Sequence, residues 1–241
     1  EQAMAEHRPK LCLLTANFQN PLGYVLSDVD KQKIAQLAAQ YHCIILEDDI
    51  YAECSYQGQR PLPIKYWDQH GYVVWVGSVS KSLSTAYRVG WFCIGGQLKA
   101  MYPEFYSANV SVNTPLQLGL ADFIYSREYR NHLSRLQPQL MQQVEQYRRY
   151  ILKAFAPLNI GLSQPQGGYA LWLELPQKID SLALYLAAQQ HQINIVPGVV
   201  FGEDERYQHF VRLNAGHALT PQLQEAILFL AEWVKQAVDG Y

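Results

Sequence analysis

The 241-residue sequence predicts an α/β fold: the C-terminal portion of a mainly parallel sheet domain, itself incomplete, followed by a small α+β unit. Three observations predict it. The apolar runs in "PKLCLLTANFQNPLG" and "CIILEDDIY" flank a helical stretch, and strand–helix–strand order favours parallel pairing with both faces covered. Two further apolar runs, "YVVWVGS" and "GWFCIGG", extend the sheet. From near Asn159 the rhythm changes to short strands and two helices, the pattern of a separate α+β unit.

In order along the chain, Asn20-Pro21 and Gly23 mark a turn after the first strand. Ser27 is placed to cap a helix, with Asp30 three residues on as a weaker capping box. Val29, Ile34, Leu37, Ala38 and Tyr41 are expected to form its apolar face. The second strand ends in three acids, Glu47, Asp48 and Asp49. A Pro- and Gly-rich loop leads to the third strand and then to "GSVSKSLSTAYR", a Ser-rich turn before the fourth. Another helix begins near Pro115, and a long, mostly polar one spans about Glu128 to Phe155. "GGYALWLEL", "INIVPG" and "HFVRLNAG" read as strands, and "SLALYLAAQQH" as a helix. Thr220 caps a last amphipathic helix, with Pro221 at its first position. This divides the chain into residues 1–126, a connecting helix over 127–158, and a small domain over 159–241.

Composition narrows the function classes. Hydrophobic residues make up 49% and charged residues 17%, enough to bury a core, and net charge is −2 without a basic stripe suited to nucleic acid. The arginines between Arg127 and Lys153 are interspersed with Glu128 and Glu145 and read as a solvated helix face. Four separated cysteines form no C-x-x-C pair; Cys12, Cys43 and Cys93 sit in apolar runs and read as buried, in a reducing cytoplasmic setting. Seven histidines lack metal-ligand spacing, and no apolar run approaches membrane-spanning length. The opening residues drop straight into a strand pattern, so the chain is expected to be a C-terminal fragment.

Ligands of open α/β sheets bind at the carboxyl ends of strands. Asn20, Asp48 and the Ser78–Lys81 turn fall at such ends, and Arg88 follows seven residues after Lys81. Singly, each has an ordinary reading: a turn asparagine, a loop acid or metal ligand, a surface lysine, a surface arginine. Arg212 differs, since an arginine within a short apolar strand needs an anionic partner, from the protein or from a ligand.

Taken jointly, N-P-x-G (Asn20 to Gly23), D-x-x-Y (Asp48 to Tyr51), S-x-S-K (Ser78 to Lys81), Arg88 and a late R-L-N resemble the fold type I aminotransferases that use pyridoxal 5'-phosphate (PLP). The resemblance covers nearly the whole chain. "NFQNPLG", "ILEDDIYAE" and "SVSKSLSTAYRVGW" are most similar to the aminotransferase-like domains of MocR-type transcriptional regulators in the GntR superfamily, and also resemble free-standing 2-aminoadipate-type aminotransferases.

The resemblance implies that Lys81 forms the Schiff base with PLP and then serves as proton carrier. Asp48 pairs with the ring nitrogen, while Asn20 and Tyr51 bond the ring 3-oxygen. Ser78, Ser80 and Arg88 hold the phosphate, and Arg212 takes the α-carboxylate of an amino compound. It further implies a homodimer, with DNA bound through an N-terminal helix-turn-helix domain absent from this chain. The family's N-terminal cofactor-binding segment is not found here either. The expected function is effector sensing in a regulator; the alternative is a cytosolic aminotransferase moving an amino group between an amino acid and a 2-oxo acid.

Overall fold

The computed structural model describes residues 1–108, 113–202 and 205–240. Two compact units are present. Unit 1 comprises Glu1–Gln19 and Tyr24–Pro138; unit 2 comprises Asn20–Gly23 and Gln139–Tyr241.

Unit 1 contains helix α1 (Gln2–His7), strand β1 (Leu11–Leu14), helix α2 (Asp28–Gln40), and strands β2 (Ile44–Asp48), β3 (Val73–Ser78) and β4 (Gly90–Cys93). Helices α3 (Tyr102–Ala108) and α4 (Thr114–Tyr125) follow, then the start of α5 (Arg127–Ala154). The sheet runs β1-β2-β3-β4. The first three strands are parallel, so their carboxyl ends share one rim; β4 pairs antiparallel with β3.

One face of this sheet carries the core. Ile45 and Val73 pack with Ala35 and Ala38 of α2, with Cys43 and with Ile64. The cap of α2 is as expected: Ser27 Oγ accepts from the Asp30 amide at 3.1 Å and donates to its carboxylate at 2.6 Å. The helix face is as expected only in part, with Ile34 packing against the core. Lys31, Ala35, Leu37 and Ala38 are buried, whereas Val29 is 75% exposed. Buried Lys31, Ala35 and Ala38 are spaced four and three apart, and the first-turn Val29 falls off that stripe. Lys31 retains only a 3.7 Å contact with Asp28, and burial lowers its pKa.

The second sheet face departs from the expectation of cover on both sides. Leu11 and Leu13 are 57% and 66% exposed, and Phe92 is 45% exposed. Cys93 is exposed rather than buried, because β4 occupies a sheet edge; Cys12 is partly buried, and Cys43 and Cys54 are buried.

In α4, Leu116, Leu120 and Ile124 recur at helical spacing and pack with Val79, Leu83, Val89 and Trp91. Asn113 caps this helix through the Leu116 amide, and Pro115 lies in its first turn. The α5 helix runs 28 residues and is more amphipathic than its polar composition suggests: Tyr129, Leu140, Val144, Tyr147 and Ile151 are all buried.

Unit 2 holds the rest of α5, then β5 (Gly161–Leu162), β6 (Ala170–Glu174), helix α6 (Ser181–Gln190), β7 (Val196–Pro197), β8 (Phe210–Asn214) and helix α7 (Pro221–Asp239). Its sheet order is β5-β6-β8-β7, antiparallel throughout. Thr220 caps α7 through the Leu223 amide, with Pro221 at the first helical position. The glycine of the N-P-x-G turn has a physical cause. Gly23 has φ +74°, and a Cβ there would lie 2.6 Å from Pro165 Cβ.

Burial also tunes one acid in β2. Glu47 is fully buried and accepts from the Ile64 and Lys65 amides at 2.7 and 3.0 Å. Desolvation outweighs those two bonds and pushes its pKa from 4.5 to about 7. The folded state therefore binds the Glu47 proton more tightly than the unfolded chain. Its contribution, about 3 kcal/mol, is complete below pH 4.5 and lost as pH rises through about 7. Urea titrations of Glu47→Gln should show a flatter fall in stability across that window than the unsubstituted chain.

Candidate functional site

Alternation at the end of β2 sorts three consecutive acids, Glu47 and Asp48 in the strand and Asp49 just past it. Glu47 is directed to the core, and Asp49 is buried on the same side. Asp49 accepts from Asn17 Nδ2 and Trp75 Nε1, each at 2.8 Å, and pairs closely with Arg60. Arg60 also donates to Glu53 at 2.9 Å. Both charges are thus committed to structure. Asp48 alternates to the other face, remains partly exposed, and uses Oδ1 to accept from the Ile50 amide at 3.2 Å. Val76 of β3 is its register partner.

The turn after β3 presents Lys81. Val79 is fully buried and the Leu83 amide donates to the Val79 carbonyl at 2.8 Å, closing one helical turn around the lysine. Lys81 Nζ lies 5.2 Å from the centre of the Tyr51 ring, which is itself buried. No hydrogen bond or ion pair engages this ammonium among the described residues. Ser78 Oγ donates to the Val89 carbonyl at 3.0 Å and accepts from the Ser80 amide at 3.1 Å and from the Ser80 hydroxyl at 2.8 Å. Arg88 is exposed, with φ 54°, and has no acid partner among the described residues.

Sequence reasoning missed the supports of this turn. Cys54 Sγ donates to the Lys81 carbonyl at 3.5 Å; burial pushes its thiol up to about 12, so it stays a donor at neutral pH. His132 meets the Ser82 carbonyl at 2.6 Å, and Tyr129 meets the Ser82 hydroxyl at 3.1 Å. Gln137 donates to the Glu53 carbonyl at 3.0 Å. These partners stand up to 84 residues apart in sequence, and no local pattern joins them.

Asn20 and Arg212 belong to unit 2. Asn20 lies beyond the end of β1, and its peptide bond to Pro21 is cis. Arg212 sits mid-strand in β8, as expected, opposite Trp172. Its Nη1 donates to Asn20 Oδ1 at 3.4 Å, and its guanidinium lies 5.9 Å from the Phe201 ring centre. The partner is thus a neutral amide. Trp172 stacks on Phe210 at 5.2 Å and meets Phe201 edge-on at the same distance.

The donor set of unit 1 suits a small anionic carbonyl compound with a basic ring. Two hydroxyls, a turn amide and a guanidinium could hold a phosphate; an amine without a hydrogen-bond partner could condense with an aldehyde; a half-engaged carboxylate could face a ring nitrogen. Among the described residues, no group of three or more His, Cys, Asp or Glu could hold a metal ion, and no helix is long and apolar enough to cross a membrane.

Known proteins are similar to this chain in sequence and fold. The uncharacterized HTH-type transcriptional regulators YdcR and YjiR of Escherichia coli K12 are 34% and 30% identical, over 98% and 99% of this chain and 50% and 51% of theirs. The chain thus spans about half the length of the curated relatives it matches. A multiple substrate aminotransferase from Thermococcus profundus superposes with a TM-score of 0.83 at 25% identity, covering 100% of this chain and 60% of the other. The family described as Aminotransferase class I and II, whose cofactor is PLP, matches residues 1–228. With its mixed α/β sheet and lysine turn, the chain belongs to the class I and II aminotransferase family.

Proposed function

We propose that this chain is the PLP-binding, aminotransferase-like part of a GntR/MocR-type transcriptional regulator and senses an amino compound. The observation that carries this reading is the 34% identity to an HTH-type regulator across 98% of the chain. DNA contact is assigned to a helix-turn-helix segment outside residues 1–241, and the regulator acts as a cytoplasmic homodimer. The likeness to the Thermococcus profundus enzyme supports the second reading, a transaminase with the same site.

PLP supplies the electron sink. The chain's own residues supply the rest. Ser78, Ser80 and Arg88 hold the phosphate. Asp48 would pair with the ring nitrogen through a charge-assisted bond and so favour its protonated form. Tyr51 and Asn20 bond the ring 3-oxygen; with Asn20 Oδ1 accepting from Arg212, its amide nitrogen is the group that donates. Lys81 would provide the amine that holds the cofactor, and that amine could hold or move a proton. Arg212 binds the carboxylate of the amino compound, a charged hydrogen bond contributing about 1.5–3 kcal/mol.

Two substitutions test the assignment in the intact protein. Lys81→Ala should abolish borohydride-fixed PLP labelling; unchanged labelling would refute the anchor. Arg212→Ala should weaken amino-acid binding by about tenfold or more while PLP stays bound, as read by titration calorimetry; equal loss of PLP would refute the carboxylate role. A helix-turn-helix coding segment upstream in the gene separates regulator from enzyme.

A further inference from the structure

The backbone that carries Lys81 is gripped from a distant helix. Ser82, the residue after the lysine, is only 3% exposed, and its carbonyl and its hydroxyl are both engaged by α5. Its carbonyl receives His132 Nε2 at 2.6 Å, and its hydroxyl meets Tyr129 Oη at 3.1 Å. A carbonyl oxygen only accepts, so Nε2 carries the hydrogen. The Tyr129 and His132 rings are one helical turn apart and stack at 6.3 Å with an interplanar angle of 23°. Tyr129 is buried and also meets Phe123 edge-on at 5.6 Å. The pair is therefore a braced unit.

We propose that His132, braced by Tyr129, is a positioning residue: it fixes the Ser82 carbonyl, and with it the direction in which Lys81 leaves the turn. The inference rests on the reading of Lys81 as the PLP lysine. The chemistry makes direction matter. The deprotonated Lys81 amine adds to an aldehyde carbon, a C–N bond forms, and water leaves. That condensation is favoured only if the amine is held near the carbon, which converts an encounter into an intramolecular step. A lysine side chain is long and flexible, so its root must be fixed. Val79 and Leu83 supply apolar anchorage around the turn, which is not directional, and one backbone bond, Leu83 amide to Val79 carbonyl at 2.8 Å, which holds the turn from within. The Cys54 bond to the Lys81 carbonyl is a weak thiol donor at 3.5 Å. The His132 bond, at 2.6 Å, is the shortest of these and the one that holds the Ser82 carbonyl from outside the turn.

The test uses the intact protein carrying this chain, at a temperature where every variant is folded by circular dichroism. PLP is titrated, borohydride fixes the C–N link, and label on the Lys81 peptide is counted by mass spectrometry. In His132→Leu the PLP concentration for half-maximal labelling should rise about tenfold, the effect of leaving a buried carbonyl unpaired. His132→Gln, whose amide nitrogen reaches the position of Nε2, should restore it close to the unsubstituted value. Tyr129→Phe, which keeps the ring and loses only the hydroxyl, should give a smaller shift in the same direction, and it stands as the test if His132→Leu does not fold. A purely structural role would lower the melting temperature of these variants and leave the labelling midpoint unmoved; that result, or failure of His132→Gln to restore the midpoint, overturns the proposal. Absence of label in the unsubstituted protein would instead refute the Lys81 reading itself.

Discussion

Period-two alternation in β2 decides what three consecutive acids do. Glu47 and Asp49 fall on the covered side of the sheet and Asp48 on the other. Glu47 becomes an acceptor for two loop amides, and Asp49 joins Asn17, Trp75 and Arg60 in one closed network. A one-residue slip of register would exchange these roles, burying Asp48 and exposing its neighbours. The buried pair thus makes the register costly to shift, and that cost holds Asp48 at the rim where parallel strands end.

The lysine turn shows the same division between anchorage and availability. Its apolar residues are buried under α4, its carbonyls are engaged by Cys54 and His132, and its serines bond one another. The Lys81 ammonium and the Arg88 guanidinium are left out of that hydrogen bonding. A backbone so fully satisfied has little freedom, while the two cations it carries are uncommitted. Such an arrangement would let the turn receive an anion and an aldehyde without first rearranging.

Much of this was legible in the sequence because the deciding signals are local. The βαβ order, the caps at Ser27 and Thr220 and the strand around Arg212 each rest on a few neighbouring residues. The errors come from tertiary context. Cys93 lies in an apolar run yet is exposed, because β4 is a sheet edge. Val29 is apolar yet misses the buried stripe, while Lys31 occupies it. The α5 helix looked polar because its buried residues are spread over 28 positions. His132 and Ser82 are 50 residues apart, so nothing local marks them as partners.

Arg212 brings the electrostatics to a point. Arg60 meets two acids, and Arg148 and Arg149 share Glu145. These guanidiniums are neutralised where they stand. Arg212 is partly buried on β8 beside the Trp172 aromatic cluster, and it meets an amide oxygen and an aromatic face. Those contacts fix its orientation without cancelling its charge. A cation held in place but not neutralised attracts a carboxylate more strongly than one already paired, because binding need not break an ion pair. The neutral partner that the sequence did not anticipate is therefore what suits Arg212 to a ligand role, and replacing Asn20 by an acid would be the direct way to remove that availability while leaving the arginine itself in place.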